Sequence, residues 1–294
     1  MSSLTRTEIE SQPAIWQEAL ESHTDRAAEL LTLPGARVLV LGCGTSAYVA
    51  ESFAALREEA GFGVTDARYA SEPWAWRDYD AVIALSRSGT TTEVIDALDA
   101  LPQNVTTIAV TGVADSPVAE RADEVLLLDF ADEQSVVQTR FPTTFLLLAR
   151  AALGEDVSAL PAQAKAMLSE PLGIDPANYD HFVYLGSGWT YGLAQEAALK
   201  IREAAQAWAE SYPLLDFRHG PLAVANDRSL VWIIGRVEAS LVDDIERTGA
   251  SVVGSANDPL VELARAQQLA AAIAEHRGLN PDRPRNLTRS IVLD

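Results

Sequence analysis

The sequence has a single cysteine, four histidines and no long apolar run, and each scarcity excludes a class of protein. A lone cysteine, Cys43, rules out an intramolecular disulfide and a cysteine-rich metal centre, and four scattered histidines argue against a zinc cluster. No apolar stretch reaches the roughly 18 residues of a membrane-spanning helix, and the first residues lack the apolar segment of a signal peptide. We therefore expect a cytoplasmic protein without a metal site.

Basic residues are also scarce, with 22 Lys and Arg against 42 Asp and Glu and a formal charge of −20. So acidic a surface repels phosphate backbones, which argues against nucleic acid or an anionic membrane as partner. Only two of the basic residues, Lys165 and Lys200, are lysines. The remaining expectation is a protein of 294 residues, long enough for two domains, that recognises a small molecule.

Short apolar runs alternate with longer amphipathic segments in the first half of the chain. The pattern predicts strands at 36–42, 79–86, 106–112 and 124–130, and helices at 48–61, 91–101 and, briefly, 116–122. Continuous apolar strands that alternate with helices are typical of a parallel sheet covered on both faces, so we predict an α/β fold.

The second half of the chain repeats the order of the first. VLGCGTSAYVAESFAAL (40–56) aligns with YLGSGWTYGLAQEAALK (184–200), and farther on Pro117 aligns with Pro259 at nearly the same spacing. Two such matches predict two similar α/β units. We expect a helical stretch at 149–176 to join them. We divide the chain into an N-terminal helical segment at 1–30, a first unit at 31–155, a linker at 156–176 and a second unit at 177–294.

Two loops of the first unit, GCGTS (42–46) and SRSGTT (86–91), lead from a strand into a helix. Glycines permit tight turns, hydroxyls donate hydrogen bonds, and a helix N-terminus presents free N–H groups to an anion. Both loops follow the carboxyl ends of strands, where open α/β sheets bind ligands. Either loop alone could be an ordinary capped turn. Together they favour a site for one phosphate monoester.

Neither loop matches a nucleotide-binding motif well. The P-loop pattern is absent, which argues against a nucleoside triphosphate. GCGTSA fits the dinucleotide pattern, but its nearest acidic partner, Asp66, lies inside the following segment and not at the end of a strand. A nicotinamide-dependent enzyme is therefore our last alternative, and we expect no cofactor.

GCGTS, ASE (70–72) and SRSGTT resemble the sugar isomerase (SIS) domain family. Residues 196–221, which include an HGP triplet, the opening EIESQP (8–13) and the closing DRPRNLTRSIVLD (282–294) are similar to the isomerase half of glucosamine-6-phosphate synthase. The resemblance implies two tandem SIS-type units, each a flavodoxin-like three-layer sandwich with helices on both faces of a parallel sheet. Nothing in the sequence resembles the glutamine-hydrolysing half of that enzyme, so we do not expect a complete synthase.

The resemblance also implies a site for the phosphate of a sugar phosphate. It assigns that phosphate to Ser46, Ser86, Ser88 and Thr91, with Thr45 and Arg87 alongside as further substrate-binding residues. Glu203 matches the carboxylate that moves a proton between C1 and C2. Glu196 and Lys200 precede it on the same helix face, although an exposed salt bridge is the other explanation for that pair.

His219 matches the histidine that assists ring opening in the site of the partner subunit, which implies a homodimer. Without the resemblance, His219 is equally well explained as a surface loop residue. Two positions depart from the family pattern. Arg289 stands where the family has a lysine, and it cannot form a Schiff base but can bind an oxyanion or a hydroxyl. Gln138 replaces a serine that would touch the sugar, so we expect an altered substrate preference.

These residues predict an enzyme acting on a phosphorylated sugar or amino sugar, either an aldose–ketose isomerase or an isomerising deaminase. A carboxylate such as Glu203 would act as the base next to a carbonyl, and Lys200 or Arg289 would stabilise the enediolate. The alternative is a catalytically silent sugar-phosphate sensor, which the changes at Gln138 and Arg289 favour and the presence of Glu203 and His219 disfavours.

Overall fold

The computed structural model describes residues 3–293 and contains helices and strands in alternation. The α-helices are α1 (Leu4–Ser22), α2 (Thr24–Leu31), α3 (Thr45–Glu59), α4 (Thr92–Asp99), α5 (Pro117–Glu120), α6 (Arg140–Ala152), α7 (Leu160–Ser169), α8 (Thr190–Ala205), α9 (Ala239–Glu246) and α10 (Pro259–His276). The strands are β1 (Val38–Gly42), β2 (Thr65–Tyr69), β3 (Ala81–Leu85), β4 (Thr106–Thr111), β5 (Glu124–Leu127), β6 (His181–Gly186), β7 (Trp208–Pro213), β8 (Ser229–Ile233) and β9 (Ser251–Gly254). Short 3₁₀ turns lie between them.

The strands form two wholly parallel sheets. The first has five strands in the order β2-β1-β3-β4-β5, and the second has four in the order β7-β6-β8-β9. Counted from its own first strand, the second sheet therefore repeats the order of the first four strands of the first sheet. The α/β prediction is confirmed.

Successive strand residues point to opposite sides of a sheet, so apolar side chains emerge on both faces. Helices cover both faces of each sheet. In β1, Val38 and Val40 face a core shared with α1, α2, α3 and α6, whereas Leu39 and Leu41 belong to the core on the other side, where α4 packs. In the second sheet, Tyr184 and Trp232 belong to the shared core, and Val183 packs toward α9. One apolar core thus lies between the two sheets and joins them.

Helices α3 and α8 cross closely in this shared core, and Gly192 makes that approach possible. A Cβ atom at Gly192 would overlap the backbone of Tyr48 and the side chain of Ser52 on α3. Since α3 begins at Thr45 and α8 carries Glu196, Lys200 and Glu203, this crossing brings residues of the two halves together.

Two segments differ from the sequence expectations. Strand β2 was not predicted, because its sequence TDARY is polar and half-exposed at the edge of the sheet and so lacks a continuous apolar run. The segment 149–176 is not helical throughout: α6 ends at Ala152, and within 156–176 only α7 is α-helical. That helix packs against α1 and α10 and is an integral part of the fold.

None of the helices within residues 3–293 is both long and apolar enough to cross a bilayer.

Candidate functional site

A cavity of about 150 Å³ lies where the loops after β1 and β3 meet α8 and the C-terminal segment. Its walls are formed by Cys43, Gly44, Thr45, Thr91, Val136, Gln138, Glu203, Leu287, Thr288, Arg289, Ser290 and Ile291. The cavity therefore lies at the carboxyl ends of parallel strands, which is the usual ligand position in open α/β sheets. Residues from both halves of the chain contribute to it.

The loop 86–91 forms a cluster of hydroxyl groups beside this cavity. Ser86 Oγ lies 3.2 Å from Thr91 Oγ1, and Thr90 Oγ1 lies 3.1 Å from Ser88 Oγ. Gly89 has a φ of +65°, and a side chain there would collide with Ser116, so the turn requires glycine. The loop leads directly into the N-terminus of α4, where backbone N–H groups and the helix dipole favour an anion.

A buried cluster of two carboxylates and one ammonium lies on the other side of the cavity. Lys200 Nζ donates to Thr45 Oγ1 at 3.0 Å and to Glu203 Oε2 at 2.5 Å, and it pairs with Glu196 Oε1 at 3.3 Å. Lys200 and Glu196 are essentially inaccessible, with 1% and 0% of their surface exposed, whereas the Glu203 side chain is 20% exposed and lines the cavity. The explanation of Glu196 and Lys200 as an exposed salt bridge is wrong.

Burial and charge shift the protonation equilibria in this cluster. Burial raises the pKa of Glu196 from 4.5 to about 7, although the Lys200 ammonium opposes the rise. Burial alone would lower the pKa of Lys200, but Glu196 and Glu203 reverse that effect and raise it. Lys200 therefore stays protonated at neutral pH, while Glu196 titrates near it. Such a cluster can hold and move a proton.

The C-terminal segment closes the cavity and is held by two arginines. Arg289 donates from Nη2 to both carboxylate oxygens of Asp132 at 2.6 Å and from Nε to the carbonyl of Glu133 at 3.1 Å. Arg87 donates to the carbonyl of Arg289 at 2.9 Å and to that of Ser135 at 3.0 Å. The segment thus lies across loop 86–91 as an ordered strap.

A larger cavity of about 560 Å³ lies between loop 70–76 and α4, with Trp74, Trp76, Glu93 and Asp96 among its lining residues. None of the residues predicted from the sequence lines it. Its lining carries carboxylates but no cation, so it lacks the lysine–carboxylate pairing of the smaller site.

Residues 33–153 match the family model of the SIS domain. The chain therefore contains an SIS domain. Its relatives include the isomerizing glutamine–fructose-6-phosphate aminotransferases of Pyrobaculum aerophilum, 27% identical over 89% of this chain, and of Symbiobacterium thermophilum, 27% identical over 98%. These matches cover 52% and 58% of the two relatives, so this chain spans little more than half their length.

Two solved structures of similar fold match this chain over nearly its whole length. A glucosamine-6-phosphate deaminase from Thermotoga maritima is 28% identical with a TM-score of 0.88, and the match covers 99% of this chain and 100% of that one. The tagatose-6-phosphate ketose/aldose isomerase from Escherichia coli has a TM-score of 0.79 at 20% identity, with 100% and 96% covered, and shows the fold.

The structure brings together most of the site residues predicted from the SIS resemblance. Thr45, Thr91, Gln138, Glu203 and Arg289 line the cavity. Ser46, Ser86, Ser88, Glu196 and Lys200 are buried next to them. The amide oxygen of Gln138 is buried without a hydrogen-bond partner among the described residues.

Two of the predicted residues do not face the cavity. Arg87 is 1% exposed, and its guanidinium points into the protein toward the carbonyls of Ser135 and Arg289 and lies 4.0 Å from the buried Glu133. His219 is exposed, lies in a 3₁₀ turn after β7 and does not line the cavity of its own chain.

Sequence reasoning missed several lining residues of the C-terminal segment, namely Leu287, Thr288, Ser290 and Ile291. Only Arg289 of this segment was predicted as a site residue, because it occupies the position where the family has a lysine. The hydroxyls in NLTRS were the available signal, since they resemble the Ser and Thr content of the two anion-binding loops. Within residues 3–293 no group of three or more His, Cys, Asp or Glu side chains is arranged to hold a metal ion.

Proposed function

We propose that this chain is an enzyme that acts on a phosphorylated sugar or amino sugar, either interconverting an aldose and a ketose phosphate or isomerising and deaminating an amino-sugar phosphate. The observation that carries the proposal is the meeting of two chemistries at one cavity. A hydroxyl-rich loop at a helix N-terminus lies on one side, and a lysine–carboxylate cluster lies on the other.

The phosphate would be held by Ser46, Ser86, Ser88 and Thr91, with Thr45 close by. Glu203 would then reach the carbon chain, because it is the carboxylate of the cluster that lines the cavity. It would take the proton from C2 of the open-chain aldose and deliver it to C1, while the proton on O2 moves to O1. Lys200, which hydrogen-bonds both Glu203 and Thr45, would stabilise the enediolate between these steps.

The comparisons support the substrate class. The Thermotoga maritima protein, described as a glucosamine-6-phosphate deaminase, matches this chain over almost its full length at 28% identity. The aminotransferases share only the part that this chain spans. Gln138, which lines the cavity and has an unpaired amide oxygen, would contribute to the choice among sugars.

The second sheet would be a second SIS-type unit, with both units built as flavodoxin-like sandwiches. The matching strand orders and the close alignment of Gly42 with Gly186 support this repeat. The division would be 1–30, 31–155, 156–176 and 177–294. The chain would act as a homodimer in which the exposed His219 reaches the cavity of the partner subunit.

Proton exchange in D₂O, followed by NMR, tests the proposal. The protein would be incubated with the 6-phosphates of glucose, fructose, glucosamine, galactosamine and fructosamine, and thermal-shift titrations would run in parallel. Deuterium should appear at C1 or C2 of one compound.

Two variants test the role of Glu203. Glu203→Gln should abolish exchange but retain stabilisation by the ligand. Glu59→Gln, which removes an exposed carboxylate on α3, should retain both exchange and stabilisation. Exchange retained in Glu203→Gln would exclude Glu203 as the base.

A sugar-phosphate sensor remains the second candidate because of Arg289. Both Nη2 contacts of its guanidinium go to Asp132, so the residue at the family's lysine position is engaged within the protein. Stabilisation by a sugar phosphate without exchange or product would favour the sensor over the enzyme.

A further inference from the structure

The C-terminal segment adds a hydroxyl to the cluster on loop 86–91. Ser290 Oγ lies 3.0 Å from Ser88 Oγ and 2.9 Å from Thr90 Oγ1, so three hydroxyls from two distant parts of the chain are in mutual contact. Ser290 also lines the cavity. Each hydroxyl can rotate to donate to a bound anion, since it has one donor and two acceptor sites.

The backbone of the same segment docks on the N-terminus of α4. The carbonyl of Ile291 accepts from the N–H of Thr92 at 3.2 Å, and the N–H of Leu293 donates to Thr92 Oγ1 at 2.9 Å. These contacts fix the residues after Ser290. On the other side, the carbonyl of Arg289 accepts from Arg87. Ser290 is therefore held from both directions with its hydroxyl toward the loop.

Arg87 of loop 86–91 binds two other segments of the chain, and its guanidinium does not point into the cavity. Its two Nη atoms bind the carbonyls of Ser135 and Arg289, and its Nε is buried without a partner among the described residues. Ser135 is in turn held by Glu8 of α1. Burial lowers the pKa of Arg87, and the nearby carboxylate of Glu133 opposes that shift. A planar guanidinium can bind two carbonyls at once, which an ammonium cannot do in the same geometry.

We propose that Ser290 is a phosphate-binding residue supplied by the C-terminal segment, and that Arg87 is the positioning residue that places it. The inference rests on the proposed function, in which loop 86–91 holds the phosphate of the ligand. The family resemblance implied a place for Arg87 alongside the bound phosphate, and the present proposal gives it instead an indirect role through the carbonyl of Arg289.

Binding measurements on three single variants test the proposal. Calorimetric titration with fructose 6-phosphate and with inorganic phosphate should give a Kd about tenfold weaker for Ser290→Ala, as expected for one lost hydrogen bond to a charged group. Val292→Ala is the matched control, because Val292 lies in the same segment, is 68% exposed and does not line the cavity. It should bind like the wild type.

Arg87→Lys keeps a positive charge beside Glu133, so the buried carboxylate retains a counter-charge and the fold is preserved. It should weaken binding of both probes and speed amide hydrogen exchange in residues 287–293, which a purely local defect in loop 86–91 would not do. Both substitutions act through the Ser290 hydroxyl. Adding Ser290→Ala to Arg87→Lys should therefore raise the Kd by much less than a further tenfold.

Other results would contradict the role of Ser290, the role of Arg87 or the proposed function itself. Unchanged binding by Ser290→Ala would remove Ser290 from the site, and tighter binding would mean that its hydroxyl competes with the phosphate. Fully additive effects in the double variant would refute the positioning role of Arg87. If the wild-type protein binds neither probe nor any sugar phosphate of the panel, the proposed function fails and this inference fails with it.

Discussion

Glu196 is a fully buried carboxylate, and its replacement by glutamine should change how the stability of the protein depends on pH. None of its surface is exposed, and burial raises its pKa from 4.5 to about 7 even though Lys200 Nζ lies only 3.3 Å away. Glutamine has nearly the same shape and cannot ionise. The variant therefore removes the titration and leaves the packing of α8 against α3 in place.

The sign and size of the effect follow from the raised pKa. Between pH 4.5 and about 7 the folded state keeps a proton on Glu196 that the unfolded state has released, so the free energy of unfolding falls as the pH rises. At about 1.4 kcal/mol for each unit of pKa, an increase from 4.5 to about 7 amounts to ~3 kcal/mol. Relative to Glu196→Gln, the wild type should lose that amount between pH 4.5 and pH 8.

The comparison should be made by urea denaturation of both proteins at several pH values. Taking the difference between them cancels the titration of groups that the substitution does not touch, and Glu59→Gln shows the effect of removing an exposed carboxylate. A difference between wild type and Glu196→Gln that stays constant from pH 4.5 to pH 8 would refute the raised pKa. If the wild type instead became more stable than Glu196→Gln as the pH rises, the attraction of Lys200 would outweigh the effect of burial on the pKa of Glu196.

Three further predictions concern the same region. Gly192→Ala should lower the free energy of unfolding by about 1–3 kcal/mol, because the new methyl group overlaps Tyr48 and Ser52, and chemical denaturation would detect it. Lys200→Met should destabilise the protein by about 3–5 kcal/mol at pH 8, where Glu196 is ionised and loses its counter-charge, and by less at pH 5.5; equal effects at both pH values would contradict this. If His219 serves the partner's cavity, inactive His219→Asn and Glu203→Gln chains mixed in equal amounts should recover about one quarter of wild-type turnover, since half of the dimers would hold one intact site. No recovery despite verified subunit exchange would place Glu203 and His219 in the same chain's site.

The strands of the first sheet were predictable because β1, β3 and β4 are buried on both faces. The sequences VLVLG of β1 and AVIAL of β3 are continuously apolar and wholly buried, and in β4 (TTIAVT) every residue after Thr106 is buried. Strand β2 escaped prediction for the opposite reason. It lies at the sheet edge, and only Thr65 of its five residues is buried, so burial imposes no apolar pattern on it.

Local motifs predicted which loops and helix would meet at the candidate site, but they did not predict the contacts within it. Glycine- and hydroxyl-rich turns after β1 and β3 are short-range signals, and the spacing of Glu196, Lys200 and Glu203 on one helix face is another. The bond from Lys200 to Thr45 joins residues far apart in the chain and depends on the α3–α8 crossing. No local pattern encodes it. The direction of the Arg87 side chain likewise depends on the carbonyls that three separate segments present.

The distribution of charge around the cavity explains how so acidic a protein could bind a phosphate. The two arginines near the loop provide little free positive charge, because Arg289 is paired with Asp132 and Arg87 is buried against Glu133. The attraction would therefore come from hydroxyl donors and the N-terminus of α4, which act over a few ångströms, while the net charge of −20 repels the ligand at longer range. Salt screens the long-range repulsion more than it screens contacts inside a closed cavity. Binding that strengthens as salt is added from low concentration would fit this arrangement, whereas steep weakening would require a positive side chain exposed at the site.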